Sequence, residues 1–143
     1  MLSSKQRHLI DDLLSIADPQ ERLSVVLIQG SRHQLQPDEK KHDNLVPGCV
    51  SKVWVVGGVV DGLCRFRCDA ESPMVKGLVA LLCDLYSDTT PEEVVAVEPE
   101  VWQECGFDRL LSPTRLNGLK GVRARIVQLA RHACQPPVSP SPP

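Results

Sequence analysis

The residue of this sequence best placed for nucleophilic chemistry is Cys49, which follows Pro47-Gly48 and precedes a valine-rich segment. Proline and glycine together favour a turn, and glycine leaves room for the thiol beside it. A cysteine on such a loop can reach into another protein's active site, whereas a cysteine inside a core strand or helix cannot. Reactivity also requires a thiolate and access to it, which the residue types do not settle. On residue chemistry alone, a single loop cysteine of this kind is more often incidental than reactive.

The other cysteines favour structural roles. They are Cys64, Cys68, Cys83, Cys105 and Cys134. The six cysteines contain no Cys-x-x-Cys pair, and no histidine falls at zinc-finger spacing, so no metal site is predicted. Cys64 and Cys68 lie on a predicted strand about 13 Å apart, too far to share a metal ion or a disulfide. We interpret these five as structural, with Cys134 exposed beside the C-terminal tail.

Two other features also receive structural interpretations. The histidines have no regular spacing to a cysteine, so no Cys–His nucleophile pair is predicted. They are His8, His33, His42 and His132. Gly57-Gly58, near the end of the predicted strand, is interpreted as a bend before the hairpin. A phosphate-binding glycine loop is not predicted there, because no helix follows that could bind a phosphate group.

A β-hairpin is predicted directly after the Cys49 loop. Residues 51–57 alternate in the manner of a strand with one buried face. Asp61-Gly62 is a strong signal for a two-residue turn, since both positions tolerate positive φ. The return strand, 63–69, places three apolar side chains on one face, those of Cys64, Phe66 and Cys68.

Helices account for the rest of the predicted fold. The first third of the chain is predicted to form two helices, the second of which begins at Asp18-Pro19. Three later helix starts have the same form, at Ser72-Pro73, Thr90-Pro91 and Ser112-Pro113. Residues 75–86 are apolar nearly all round, which predicts a central core helix that buries Cys83.

The composition limits the function classes. A length of 143 residues suits one domain, which we place at 1–134, and the Pro/Ser-rich segment 135–143 is predicted to be a disordered tail. The net charge of -2 gives no reason to expect a nucleic-acid partner. No apolar run approaches the roughly 20 residues that span a bilayer, and no signal peptide is visible. We expect a cytoplasmic location, or a plastid or organelle stroma if a transit peptide has been removed.

Several ordered sequence blocks resemble the SufE family of cysteine desulfuration proteins. The likeness runs from about Asp18 to Ala133 in the family's order and spacing. The blocks are PGCVSKVWV, a hairpin, MVKGLVALL, TPEEV and LSPTRLNGL. The resemblance implies an α+β fold, in which a small antiparallel sheet packs against several helices as in IscU-type scaffolds.

The resemblance also implies a site. In that family the cysteine of a G-C-x-S-x-V-W block takes sulfane sulfur from a cysteine desulfurase, so Cys49 would be the acceptor nucleophile. The other matching positions are Gly48, Ser51, Val53 and Trp54. Arg115, in a matching S-P-[ST]-R-x-x-G-L block, is expected to support the cysteine loop or a partner contact, or else to be a solvated helix residue. Asp69, Glu71 and Lys76 match polar positions near the end of the hairpin.

The implied function is that of an accessory protein rather than a stand-alone enzyme. It would stimulate a SufS-like cysteine desulfurase by accepting its persulfide sulfur, then pass that sulfur to an iron–sulfur scaffold complex. The chain itself is expected to bind no cofactor or metal, with pyridoxal phosphate on the partner, and to be a monomer alone. An apolar pocket would protect the undocked thiol, and the acidic 88–108 stretch and basic last helix would steer docking. The alternative is an iron–sulfur or zinc-binding scaffold that uses Cys49 with other cysteines.

Overall fold

The computed structural model describes residues 2–134, and the predicted tail, 135–143, lies outside them. Helices and strands follow the order α1 (Leu2–Leu14), α2 (Pro19–Gly30), β1 (Val53–Val60), β2 (Leu63–Ala70), α3 (Pro73–Tyr86), α4 (Pro91–Ala96), α5 (Val101–Glu104) and α6 (Pro113–Cys134). Short 3-10 helices occupy Pro37–Glu39, His42–Asn44 and Phe107–Arg109. An antiparallel pair of strands packed against helices confirms the predicted α+β class. Within the described part of the chain, no helix has the length and apolar character needed to span a membrane.

The predicted hairpin is present. Its register runs from Val53 opposite Ala70 to Val60 opposite Leu63. The turn residues Asp61 and Gly62 have φ of 53° and 80°, as a two-residue turn that follows the twist of the strands requires.

The predicted bend at Gly57-Gly58 is wrong, because both residues continue β1. Gly57 lies opposite Phe66 in the register. A Cβ on Gly57 would come within 2.4 Å of Cδ1 in the Phe66 ring. The glycine therefore serves a cross-strand contact with a buried aromatic ring, and sequence neighbours carry no sign of that contact.

The central helix α3 packs against both the hairpin and α2. Ser72 caps it by accepting a hydrogen bond from the Val75 amide at 3.4 Å, as the sequence predicts. Gly30 and Gly77 let α2 and α3 approach closely, since a Cβ on Gly30 would lie 2.4 Å from the Gly77 Cα. Helix α6 covers β1 and α4, and its first half thereby runs beside the Cys49 loop.

Four of the cysteines interpreted as structural are in the core. Cys64, Cys68, Cys83 and Cys105 are at most 1% exposed. Their burial agrees with the structural roles predicted for them. The side chain of Cys134 lies outside the described residues.

Candidate thiol site at Cys49

The backbone around Cys49 forms a tight turn. Gly48 has a φ of +82°, and proline followed by such a glycine is the arrangement of a type II turn. The Val46 amide donates to the Val53 carbonyl at 2.8 Å, which closes the loop upstream of the turn. Cys49 therefore projects from a short, anchored loop.

Glu71 anchors the loop on its downstream side. Its Oε1 accepts a hydrogen bond from the Lys52 amide at 2.9 Å, and its own amide donates to the Lys52 carbonyl at 3.0 Å. Both backbone polar groups of Lys52 are thus bonded to one residue between β2 and α3. Of the polar positions implied by the family resemblance, Glu71 is the one that directly holds the cysteine loop.

Cys49 borders a cavity of about 310 Å³ between the loop, α3 and α6. Its walls are mostly apolar. The lining residues are Cys49, Val50, Ser51, Ser72, Val75, Leu78, Val79, Ser112, Thr114, Arg115, Gly118, Leu119 and Val122. A group attached to the Cys49 sulfur can therefore be partly enclosed without any change in the fold.

The thiol of Cys49 is half-buried. Its Sγ lies 3.9 Å from the Gly118 carbonyl oxygen, a weak hydrogen bond from the thiol. Burial raises the pKa of Cys49, because a thiolate is less well solvated there than in water. At neutral pH the undocked side chain is therefore a thiol, and nucleophilic attack requires a base or cation that promotes its ionisation.

Arg115 lies in the first turn of α6, with its amide bonded to the Ser112 hydroxyl at 3.2 Å. Its side chain lines the same cavity, and its Nη1 contacts the sulfur of Met74. The residue is exposed, so this permanent cation is available to a docked partner. Val50, 89% exposed, adds an apolar contact point beside the thiol.

Trp54, Asp69 and Lys76 form a separate cluster and do not line the cavity. The Asp69 carboxylate is buried and pairs with Lys40 at 3.0 Å and Lys76 at 3.5 Å. Burial alone would raise the pKa of Asp69, but hydrogen bonds from the Leu35 amide and Lys40 outweigh it and lower that pKa. Lys40 also lies 5.7 Å above the Trp54 ring. In the described structure these residues hold the 35–40 segment against the hairpin.

The sequence does not predict which residues form the walls of the cavity. In the sequence, Val75 and Leu78 belong to the apolar segment of the predicted core helix, and Gly118 belongs to a block of the family resemblance. One signal was present for Gly118, which follows Arg115 by three residues and so lies on the same face of a helix. The convergence of α3 and α6 on Cys49 depends on tertiary packing.

A second group of thiols lies in the core and includes a cysteine–histidine contact that the sequence does not predict. The buried Cys68 contacts both Cys83 and His33. His33 Nε2 also lies 2.7 Å from Asp84 Oδ1. The contact with Cys83, followed by the one with His33, lowers the pKa of Cys68. The hydrogen bond with Asp84, followed by the contact with Cys68, raises the pKa of His33.

Residues 2–134 contain no group of side chains arranged to bind a metal ion together. In that range, no three His, Cys, Asp or Glu side chains are grouped so that they could hold an ion. In particular, Cys49 faces apolar walls and one backbone carbonyl.

The fold and site define a small α+β protein that presents a loop thiol at an apolar cavity. Residues 7–130 match the family model described as SufE, Fe-S metabolism associated domain. The chain belongs to the SufE family, which associates it with iron–sulfur metabolism. An uncharacterized SufE-like protein of Synechocystis sp. is 34% identical over 106 residues, 73% of this chain and 67% of that protein.

Similarity in three dimensions supports the fold. The solution structure of a hypothetical protein from Thermus thermophilus aligns with a TM-score of 0.76. The alignment covers 90% of this chain and 95% of that one, at 24% sequence identity. At that identity the likeness establishes a shared architecture.

Proposed function

We propose that this protein accepts sulfane sulfur on Cys49 from a pyridoxal-phosphate-dependent cysteine desulfurase and passes it toward iron–sulfur cluster assembly. One observation carries the proposal. Among the cysteines whose side chains are described, Cys49 alone is not fully buried, and it projects from a turn beside an apolar cavity. Membership of the SufE family supplies the iron–sulfur context.

The transfer is an exchange between sulfur atoms. The Cys49 thiolate attacks the outer sulfur of a cysteine persulfide on the partner, and a new S–S bond forms at Cys49 Sγ. The partner's S–S bond breaks, and its electron pair leaves with the partner's cysteine as a thiolate. The transferred sulfur keeps its hydrogen, and no external oxidant or reductant is consumed.

Activation of Cys49 depends on docking. Because burial raises its pKa, the free protein presents a thiol of low nucleophilicity. A cation or base in the partner's active site would promote ionisation only in the complex. This arrangement limits side reactions of the undocked thiol and makes the desulfurase the preferred reaction partner.

The docking surface would centre on the Cys49 loop. Val50 offers an exposed apolar side chain and Arg115 an exposed cation beside the thiol. Two basic residues of α6 serve the fold instead, since Arg123 bonds the Val97 carbonyl at 3.0 Å and Arg125 bonds the Asp43 carbonyl at 3.3 Å. Steering by α6 would therefore rest on its exposed cations, Lys120 and Arg131 among them, and would weaken as salt is raised.

The proposal is tested by Cys49→Ser in a desulfurase assay that measures sulfide released from cysteine. The substitution lies on a half-exposed loop, so the variant should fold, which circular dichroism can check. We expect stimulation of the desulfurase to fall to the level without added protein. Undiminished stimulation by a folded Cys49→Ser variant would overturn the proposal.

Metal analysis of the purified protein separates this function from a scaffold role. A sulfur carrier should contain no stoichiometric iron or zinc. One equivalent of either metal, lost in Cys49→Ser, would instead support a metal or cluster scaffold and contradict the carrier function.

A further inference from the structure

Gly118 lies inside the long helix α6, where glycine is intrinsically less favourable than alanine. A Cβ built there would meet only one group within 4 Å, the Sγ of Cys49, at 3.8 Å. That distance is an ordinary van der Waals contact. Packing in the resting, unloaded protein therefore gives no reason for glycine at this position.

A second glycine of the same helix provides a contrast. At Gly121 a Cβ would lie 3.2 Å from the Pro47 carbonyl oxygen, so close backbone packing explains that glycine. Gly118 has no such crowding. Because Gly118 has no side chain, space remains free beside the Cys49 sulfur, within the cavity of about 310 Å³.

We infer that Gly118 reserves the space that the outer sulfur of a Cys49 persulfide occupies. The inference rests on the function proposed above and adds a residue that distinguishes the loaded from the unloaded state. An S–S bond is about 2.05 Å long, so the added sulfur extends well beyond Sγ. A methyl group 3.8 Å from Sγ is compatible with the thiol but excludes that second sulfur from the directions that face α6.

The exclusion has a chemical consequence. A persulfide turned toward α6 is covered by the helix and by the apolar walls from α3, Val75 and Leu78 among them. A persulfide forced away from α6 loses the cover of that helix. A small thiol reductant then reaches the outer sulfur more readily, and its attack there transfers that sulfur to the reductant and leaves Cys49 as a thiolate.

The test compares wild type with Gly118→Ala. Both proteins are loaded with a cysteine desulfurase and cysteine, separated from them, and exposed to dithiothreitol while mass spectrometry follows the extra sulfur on Cys49. We expect the variant to lose its sulfur at least about fivefold faster, the effect of overfilling a packed site by one methyl group. Alkylation of the unloaded Cys49 by iodoacetamide should change by less than about twofold, because the methyl does not crowd the thiol.

Asn117→Ala is the matched control. It lies on the same helix turn with its side chain away from the lining of the cavity, and it also replaces a poorer helix former by alanine without adding bulk at the cavity. We expect wild-type persulfide lifetime in this variant. Thermal unfolding of Gly118→Ala should occur at or above the wild-type temperature, so misfolding does not enter the comparison.

The outcomes distinguish this inference from the function on which it rests. Equal persulfide lifetimes in wild type and Gly118→Ala would overturn the role of Gly118 and leave Cys49 as the acceptor. Slower alkylation of unloaded Gly118→Ala, in the same proportion as any loss of loading, would also overturn it. No loading of wild-type Cys49 would contradict the proposed function itself.

Discussion

Cys49 and Cys68 are two thiols of one chain in opposite surroundings. Cys49 follows a turn, is half-buried, and has one weak hydrogen bond to a backbone carbonyl. Cys68 lies within β2 with no exposed surface and contacts Cys83 and His33. Its neighbours therefore resemble those of an activated cysteine far more than the neighbours of Cys49 do.

Under the proposed function, access rather than intrinsic activation would select the thiol that exchanges sulfur with a second protein. The contacts of Cys68 lower its pKa, whereas burial raises that of Cys49. Yet of these two thiols only Cys49 could be approached by a persulfide on a partner, because Cys68 is enclosed by the hairpin and α3. A loop thiol can obtain its activation from the partner, while a core thiol cannot obtain access without unfolding.

The largest expected contrast between the two environments is in alkylation of the native protein. Iodoacetamide should modify Cys49 more than about a hundredfold faster than Cys68 or Cys83, because reaction in the core requires opening of the fold. Peptide mapping by mass spectrometry measures each site. In denaturant the rates should converge, and rapid native labelling of Cys68 would contradict the comparison.

The pH dependence of Cys49 alkylation should show that this thiol lacks activation in the free protein. Its rate should rise about tenfold per pH unit up to a midpoint above that of an ordinary thiol, because burial raises the pKa of Cys49. A stopped-flow titration against a short cysteine peptide gives the reference. A midpoint below that of the peptide would mean that Cys49 is activated without a partner.

Loss of the Glu71 anchor should impair Cys49 without affecting the core thiols. Glu71→Ala removes the acceptor of the Lys52 amide, so we expect unfolding free energy to fall by about 0.5–1.5 kcal/mol. The concentration needed for half-maximal desulfurase stimulation should rise several-fold, since the loop is less well positioned. Glu71→Gln keeps an amide oxygen as acceptor and should behave nearly as wild type. Equal effects of both substitutions would show that the anchor is not responsible.

The smallest predicted effect concerns His33 and its contacts with Asp84 and Cys68. The hydrogen bond to Asp84 raises the pKa of His33 to about 10, so protonated His33 stabilises the fold. Its contribution is complete below about pH 6.5 and is lost as pH rises through about 10. His33→Gln should lower unfolding free energy by about 0.5–1 kcal/mol at pH 6, a modest figure because Asp84 is half exposed.

Denaturant titrations at pH 6 and pH 10 provide the measurement for His33. The difference between wild type and His33→Gln should shrink at the higher pH. A difference that grows with pH would show that His33 is buried as a neutral ring. Sulfur acceptance by Cys49 should be unchanged in this variant, since the two sites do not share residues.

The parts of the fold predicted correctly are those specified by neighbouring residues. The hairpin turn at Asp61-Gly62 and the capped start of α3 at Ser72 depend on a few adjacent positions. The interpretation of Gly57-Gly58 failed because the reason for Gly57 lies across the sheet, in the Phe66 ring. Local sequence contains no information about that contact.

The same limit applies to the site. Cys49 and its turn could be found from the sequence, because the residue types and a family block coincide there. Gly118 lies in the cavity wall beside Cys49, and His33 contacts Cys68 in the core. In each pair the two residues are more than thirty positions apart in the sequence. Trp54, Asp69 and Lys76 share the same sequence region as Cys49, yet the structure assembles them into a different cluster.

The most direct measurement is to incubate the protein with a cysteine desulfurase and cysteine, and to locate added sulfur by peptide mass spectrometry under non-reducing conditions. One extra sulfur atom on the peptide that contains Cys49, and none on those containing Cys68 or Cys83, is the predicted result. Added sulfur on a core cysteine, or none on Cys49 while the desulfurase is active, would contradict the account.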